Sequence, residues 1–331
     1  MKKVSFFALG VLMLMICACN GFRERIDREV EIPDFNFPQT IVFEQSLSAY
    51  NIFADEPSDL TPTDDFHLVE LSSILFTDYA HKQRLVKVPA GSQMKRLPDG
   101  SIEYPDGTIL TKTFYYYDDE RDHSAGKRII ETRLLIKESS TWNIATYLWN
   151  EAQTEASLTH DGVDTQVSWI SSDGSNQTTL YHVPTQNECM TCHQSSLSMS
   201  PLGPRLRNLN RIVERNGNSL NQLSHWQAIG LLNDFSLDQV PTMVDYKDPS
   251  APLAERGRAY LAMNCAHCHH PDAWDIPAER DFDFRYETSL AQSGIIANSE
   301  EISRNLQNGE MPFIGTTLLD QEGVDLVIEY L

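Results

Sequence analysis

Two five-residue segments constrain this chain more than anything else in it: Cys189-Met190-Thr191-Cys192-His193 and Cys265-Ala266-His267-Cys268-His269. Both read C-x-x-C-H, the attachment motif of c-type haem. On a helix, positions i, i+3 and i+4 share a face. Two thiols can therefore add across the vinyl groups of one porphyrin while the adjacent imidazole reaches its iron. The chain has six cysteines, and the remaining two, Cys17 and Cys19, lie at its N-terminus. A thioredoxin-like redox pair wants a βαβ setting and has no use for the histidine that follows. One zinc site drawn from both pairs has to bridge the long stretch from Cys192 to Cys265, unlike ordinary zinc-ligand spacing. Two disulfides in such tight loops leave the repeated histidine unexplained. The expected cofactors are two covalently bound haem c groups, attached through Cys189, Cys192, Cys265 and Cys268, with His193 and His269 on the irons.

The N-terminal cysteines belong to a different pattern. Lys2 and Lys3 precede an almost unbroken apolar run from Val4 to Cys19, shorter than the ~20 residues that span a bilayer. Ile16-Cys17-Ala18-Cys19 resembles a bacterial lipobox, in which a small residue precedes the lipidated cysteine. Cys19 fits and Cys17, behind bulky Ile16, does not. An ordinary cleaved signal peptide or a tight signal anchor is the alternative. The expectation is a lipoprotein signal over 1–18 and a tether over 19–46. The protein would then be exported and lipid-anchored to a membrane, facing the periplasm or cell surface.

The formal charge of −21 and a pI near 4.8 argue against a nucleic-acid partner, which demands clustered Lys and Arg. They suit a solvated surface or a basic redox partner protein. At 331 residues the chain has room for two or three domains.

Residues 47–179 read as a β-rich domain. Pro98-Asp99-Gly100-Ser101 and Pro105-Asp106-Gly107-Thr108 are turn signals. Strands are expected over 108–117, 128–138, 141–151 and 164–171, rich in β-branched and aromatic residues. Their spacing suggests an antiparallel sandwich or barrel. Glu131 and Arg133 share a strand face, with Lys112 nearby, and read as a structural ion cluster.

Residues 180–248 read as a first haem module. Asn218 to Leu232 has the apolar pattern of a helix. Met243 has the better position for a distal iron ligand, Met199 is a weaker alternative, and His225 a third. An open or water-bound iron is also consistent with the pattern. Residues 249–331 read as a second haem module. A helix over 252–263 runs into the second motif, another opens at Ser299, Met311-Pro312 follows, and a terminal helix covers 319–331.

This last order resembles a class I cytochrome c. The resemblance implies that His269 is the proximal ligand and Met311 the distal one, a soft sulfur that favours ferrous iron. It also implies that the first and last helices cross, with Gly257, Tyr260 and Tyr330 at the contact. Pro201-Leu202-Gly203-Pro204-Arg205-Leu206 is similar to the Gly-Pro-x-Leu that follows haem attachment in small cytochromes. The chain from Leu47 to Leu331 is similar to a family of exported dihaem c-type cytochromes, through Leu75-Phe76-Thr77-Asp78-Tyr79-Ala80-His81-Lys82, Glu131-Thr132-Arg133-Leu134-Leu135 and Tyr147-Leu148-Trp149-Asn150. It implies a dihaem architecture and supplies no substrate. The fold class expected is α+β: an N-terminal antiparallel sandwich or barrel followed by mostly α-helical, cytochrome c-like haem modules. The function expected is electron transfer. A dihaem redox enzyme, peroxidase-like or dehydrogenase-associated, is the alternative, and a haem-bearing partner-docking protein a third reading.

Overall fold

The computed structural model describes residues 39–195, 198–273 and 282–331. The apolar run, Cys17 and Cys19 lie outside them. Strands β1 (His67–Leu68) and β2 (His81–Lys87) are followed by a small hairpin, β3 (Lys95–Arg96) with β4 (Ile102–Glu103). Next come β5 (Ile109–Tyr117), β6 (Lys127–Glu138), β7 (Thr141–Trp149) and β8 (Ala156–Thr159). Six of these strands make one open antiparallel sheet in the order β1-β2-β5-β6-β7-β8. β9 (Val163–Ile170) and β10 (Asn176–Val183) form a separate hairpin.

The sheet is buried on both faces, and strand alternation divides its residues between them. Leu85, Leu134, Ala145 and Tyr147 pack under Phe43, Leu47, Ile52 and Leu60 of the N-terminal segment. Their neighbours Val86, Leu135 and Ile144 face the other way. There they share a core with Cys189, Met190, Leu206, Leu223 and Trp226. The first C-x-x-C-H segment is therefore built onto the sheet and has no core of its own.

After the sheet come α1 (Gln186–His193), a short pairing of β11 (Gln194–Ser195) with β12 (Ser198–Met199), and α2 (Leu206–Leu209). The hairpin of β13 (Ile212–Arg215) and β14 (Asn218–Asn221) leads into α3 (Gln222–Ala228). The C-terminal part holds α4 (Leu253–Asn264), α5 (Ser299–Gln307) and α6 (Gln321–Tyr330) around Tyr260, Leu261, Phe284, Ile302 and Val327.

This architecture corrects the expected fold class. Among the described residues, strand residues outnumber helical ones, the helices are few and short, and mostly α-helical cytochrome c-like modules are not present. The β-rich part is an open sheet with small hairpins. The helix expected from Asn218 to Leu232 shows why. Asn216 and Gly217 both take left-handed φ, 52° and 75°, and close a two-residue turn in which Arg215 pairs with Asn218. An Asn-Gly turn of this kind makes a hairpin, so 218–221 is a strand. Helix starts only after Asn221, whose side chain accepts from the Leu223 and Ser224 N–H groups. In the C-terminal part, the described residues between α4 and α5 are turns and loop.

Candidate functional site

Thr185 ends the β10 connection and starts α1 with a capping box. Its hydroxyl accepts from Glu188 N at 3.2 Å, and the Glu188 carboxylate accepts from Thr185 N at 2.7 Å. The helix packs against β7 and turns Cys189 and Met190 into the shared core. One turn on, His193 donates its Nδ1–H to the Ser200 carbonyl at 2.9 Å, and Ser200 N donates back to the His193 carbonyl at 2.8 Å. Such a bond fixes the tautomer and leaves Nε2 as the ligand nitrogen. Burial holds the His193 imidazole neutral, down to about 4, the form a metal takes.

The second motif follows α4 directly. Cys265 N and Ala266 N donate to the Leu261 carbonyl. Cys268 N and His269 N then fold back on the Cys265 carbonyl at 3.1 and 2.9 Å. The His269 ring lies 5.2 Å from Phe284 and 5.6 Å from Phe282, and Phe284 N donates to the His269 carbonyl at 3.0 Å.

The fold joins the two motifs. All four cysteines, His193, His267 and His269 line one cavity of about 830 Å³, near the top of the ~300–1,000 Å³ range of small-molecule sites. The Cys192 and Cys268 sulfurs and a ring nitrogen of His267 lie within 4.8 Å of one another. Cys268 donates to Cys192, which pulls the Cys192 thiol well below its ordinary value and pushes Cys268 well above. His267 beside Cys192 reinforces its thiolate character. Burial pushes Cys189 up to about 11 and Cys265 up to about 12, so both are thiols.

Met311 lines this cavity from the loop after α5. Met243 does not: it is buried in the C-terminal core with Tyr246 and Tyr260. Met199 is buried in the core shared with the sheet, and neither it nor His225 is among the lining residues. Met94, only 1% exposed, does line the cavity. Nothing in its sequence setting flags Met94, which bridges to Leu232 just before β3. Of the expected ion cluster, Glu131 and Arg133 do pair, with Arg133 Nε 2.8 Å from Glu131 Oε2 and the Tyr181 hydroxyl donating to Oε1 at 2.7 Å. Lys112 lies beside Arg133, in register with it across β5 and β6, and lines the cavity with Arg84 and Arg133.

The donor set fits haem. Each motif presents two cysteines and a histidine to a largely apolar cavity, and His193 has the backbone bond of a metal-bound imidazole. No protein-family model, curated protein or solved structure matches the chain. Among the described residues, no helix is long and apolar enough to cross a membrane.

Proposed function

We propose that the chain is an exported dihaem c-type cytochrome that passes single electrons between partner proteins while tethered to a membrane through Cys19. The observation that carries the reading is the shared cavity, which sets two C-x-x-C-H motifs side by side. Haem c supplies one-electron chemistry when bound. The residues around it attach it through Cys189, Cys192, Cys265 and Cys268, and ligate it through His193 and His269. Met311, from the cavity wall, is the candidate soft ligand for the second group, raising its potential. Leu110, Leu135, Trp226, Phe282, Phe284 and Leu306 line the cavity and would exclude water from a bound haem.

A second reading has its own observation. Cys192, Cys268 and His267 form a three-donor cluster, a set that suits zinc or another thiophilic ion. The fold removes the spacing objection by closing the long loop between the motifs.

One preparation separates the two. Protein made in a host that attaches haem c should keep haem stain on the denatured polypeptide, with two haems per chain by the pyridine spectrum. Replacing Cys265 and Cys268 with Ala should halve the stain. Complete extraction of haem by acid–acetone, with about one zinc per chain by elemental analysis, would reverse the assignment.

A further inference from the structure

Three cations stand side by side on the sheet face that looks into the cavity. Arg84 on β2 is in register with Lys112 on β5, and Lys112 with Arg133 on β6. Like charges directly opposite one another weaken a sheet. Lys112 and Arg133 both rest on the Phe114 ring, 4.8 and 4.5 Å from its centroid. Only Arg133 has a carboxylate partner, Glu131. Among the described residues, Arg84 and Lys112 make no ion pair. The acids lining the same cavity are engaged elsewhere. Asp164 and Glu188 bond His182, Asp78 accepts from the Thr317 and Leu318 N–H groups, and Asp320 caps α6. Glu301 and Glu310 hold interactions of their own. Burial, with Arg84 and Arg133 alongside, draws the Lys112 ammonium well below its ordinary value. Burial likewise draws Arg84 down to about 10. The row also lines the same cavity as Cys189, Cys192 and His193 of the first motif.

A half-buried cationic row facing a cavity is stable as such chiefly with an anion against it. We propose that Arg84, Lys112 and Arg133 form a receptor for the carboxylate groups of the cavity's ligand. Two guanidinium forks suit carboxylates in bidentate fashion, and the ammonium between them adds a point charge. The proposal rests on the haem reading, in which those carboxylates are the propionates of the group attached at Cys189 and Cys192. A free dicarboxylate offers the same chemistry.

The test uses the full chain loaded with haem carrying carbon-13 at its propionate carboxylates. In redox-difference infrared spectra, Lys112→Gln and Arg84→Gln should each shift the label-sensitive carboxylate bands and lower the first haem's midpoint potential. Lys112→Arg should restore both. Removing one of three like charges relieves repulsion, so these variants should fold, and circular dichroism and melting like the parent's verify that they do. Bands unchanged in both Gln variants would overturn the receptor. If no haem is attached, the haem reading fails separately, and succinate binding to the full chain decides by calorimetry. An affinity loss of about tenfold or more in Lys112→Gln supports a receptor for a free carboxylate. Failure of the unaltered chain to bind succinate overturns it.

Discussion

His182 sits between two carboxylates, its Nδ1 2.7 Å from Asp164 and its Nε2 3.1 Å from Glu188. Glu188 is also the third residue of α1 and closes its capping box, so this imidazole steadies the helix that presents Cys189, Cys192 and His193. The bond to Glu188, helped by Asp164, raises His182 to about 9, and the same bond lowers Glu188 to about 2. A raised imidazole contributes its full stability below the ordinary 6.5 and loses it as pH rises through about 9. The depressed carboxyl contributes above its ordinary 4.5 and loses it as pH falls toward about 2. The link is whole between those ordinary values. His182 keeps 39% of its side-chain exposure, which limits the effect to about 1 kcal/mol or less. Melting temperature should fall between pH 6.5 and 10 in the wild type and fall less in His182→Gln. Equal slopes in the two proteins would mean that His182 does not set this pH dependence.

At the scale of elements, the packing of α4 on α6 rests on two glycines. A methyl group on Gly257 would collide with the Tyr330 ring, and one on Gly323 with the Tyr260 ring. Each helix thus gives up a side chain so that the other can lay a tyrosine against its backbone. Gly257→Ala should lower stability by about 1–2 kcal/mol: overpacking costs about 1–3 kcal/mol, partly offset by alanine's better helix propensity. Denaturant midpoints check this, and Tyr330→Ala in the same chain should recover part of the loss. A Gly257→Ala protein as stable as its parent would mean the crossing is loose. The resemblance to class I cytochromes c implied the Gly257–Tyr330 contact, which the structure shows, although the mostly α-helical module implied with it is not what the described residues form.

For the molecule as a whole, the segment from Ser73 to Tyr79 is the meeting point of its parts. Ser73 N donates to Asn208 Oδ1 at 2.9 Å and Ser73 Oγ to the Val244 carbonyl at 2.7 Å. Phe76 N donates to Asn264 Oδ1 at 2.7 Å, one residue before the second motif. The Asp78 carboxylate accepts from Thr317 N at 2.9 Å and Leu318 N at 2.8 Å, holding the end of the loop that carries Met311. Asp78 and Tyr79 adopt left-handed φ, 45° and 64°, conformations that non-glycine residues keep only when their surroundings hold them there. Asp78→Ala leaves buried N–H groups without an acceptor and should cost about 3 kcal/mol. It should also speed proteolysis around 309–320, read by mass spectrometry of limited digests. An unchanged digest would mean that Met311 is held by its own loop.

The sequence by itself determined the two haem-type motifs, the main strands β5, β6, β7 and β9, and the three C-terminal helices, because these depend on spacing a few residues apart. It also carried the Asn216-Gly217 turn, whose local signal was outweighed by an apolar pattern that mimics a helix. Only the tertiary structure decided that both motifs share one cavity and that Met243 and Met199 are spent on cores. It alone aligned Arg84, Lys112 and Arg133 in one row. Those relations join residues tens to hundreds of positions apart. Strand register and the hydrogen bonds of the Ser73–Tyr79 segment fix them, and no local pattern records either.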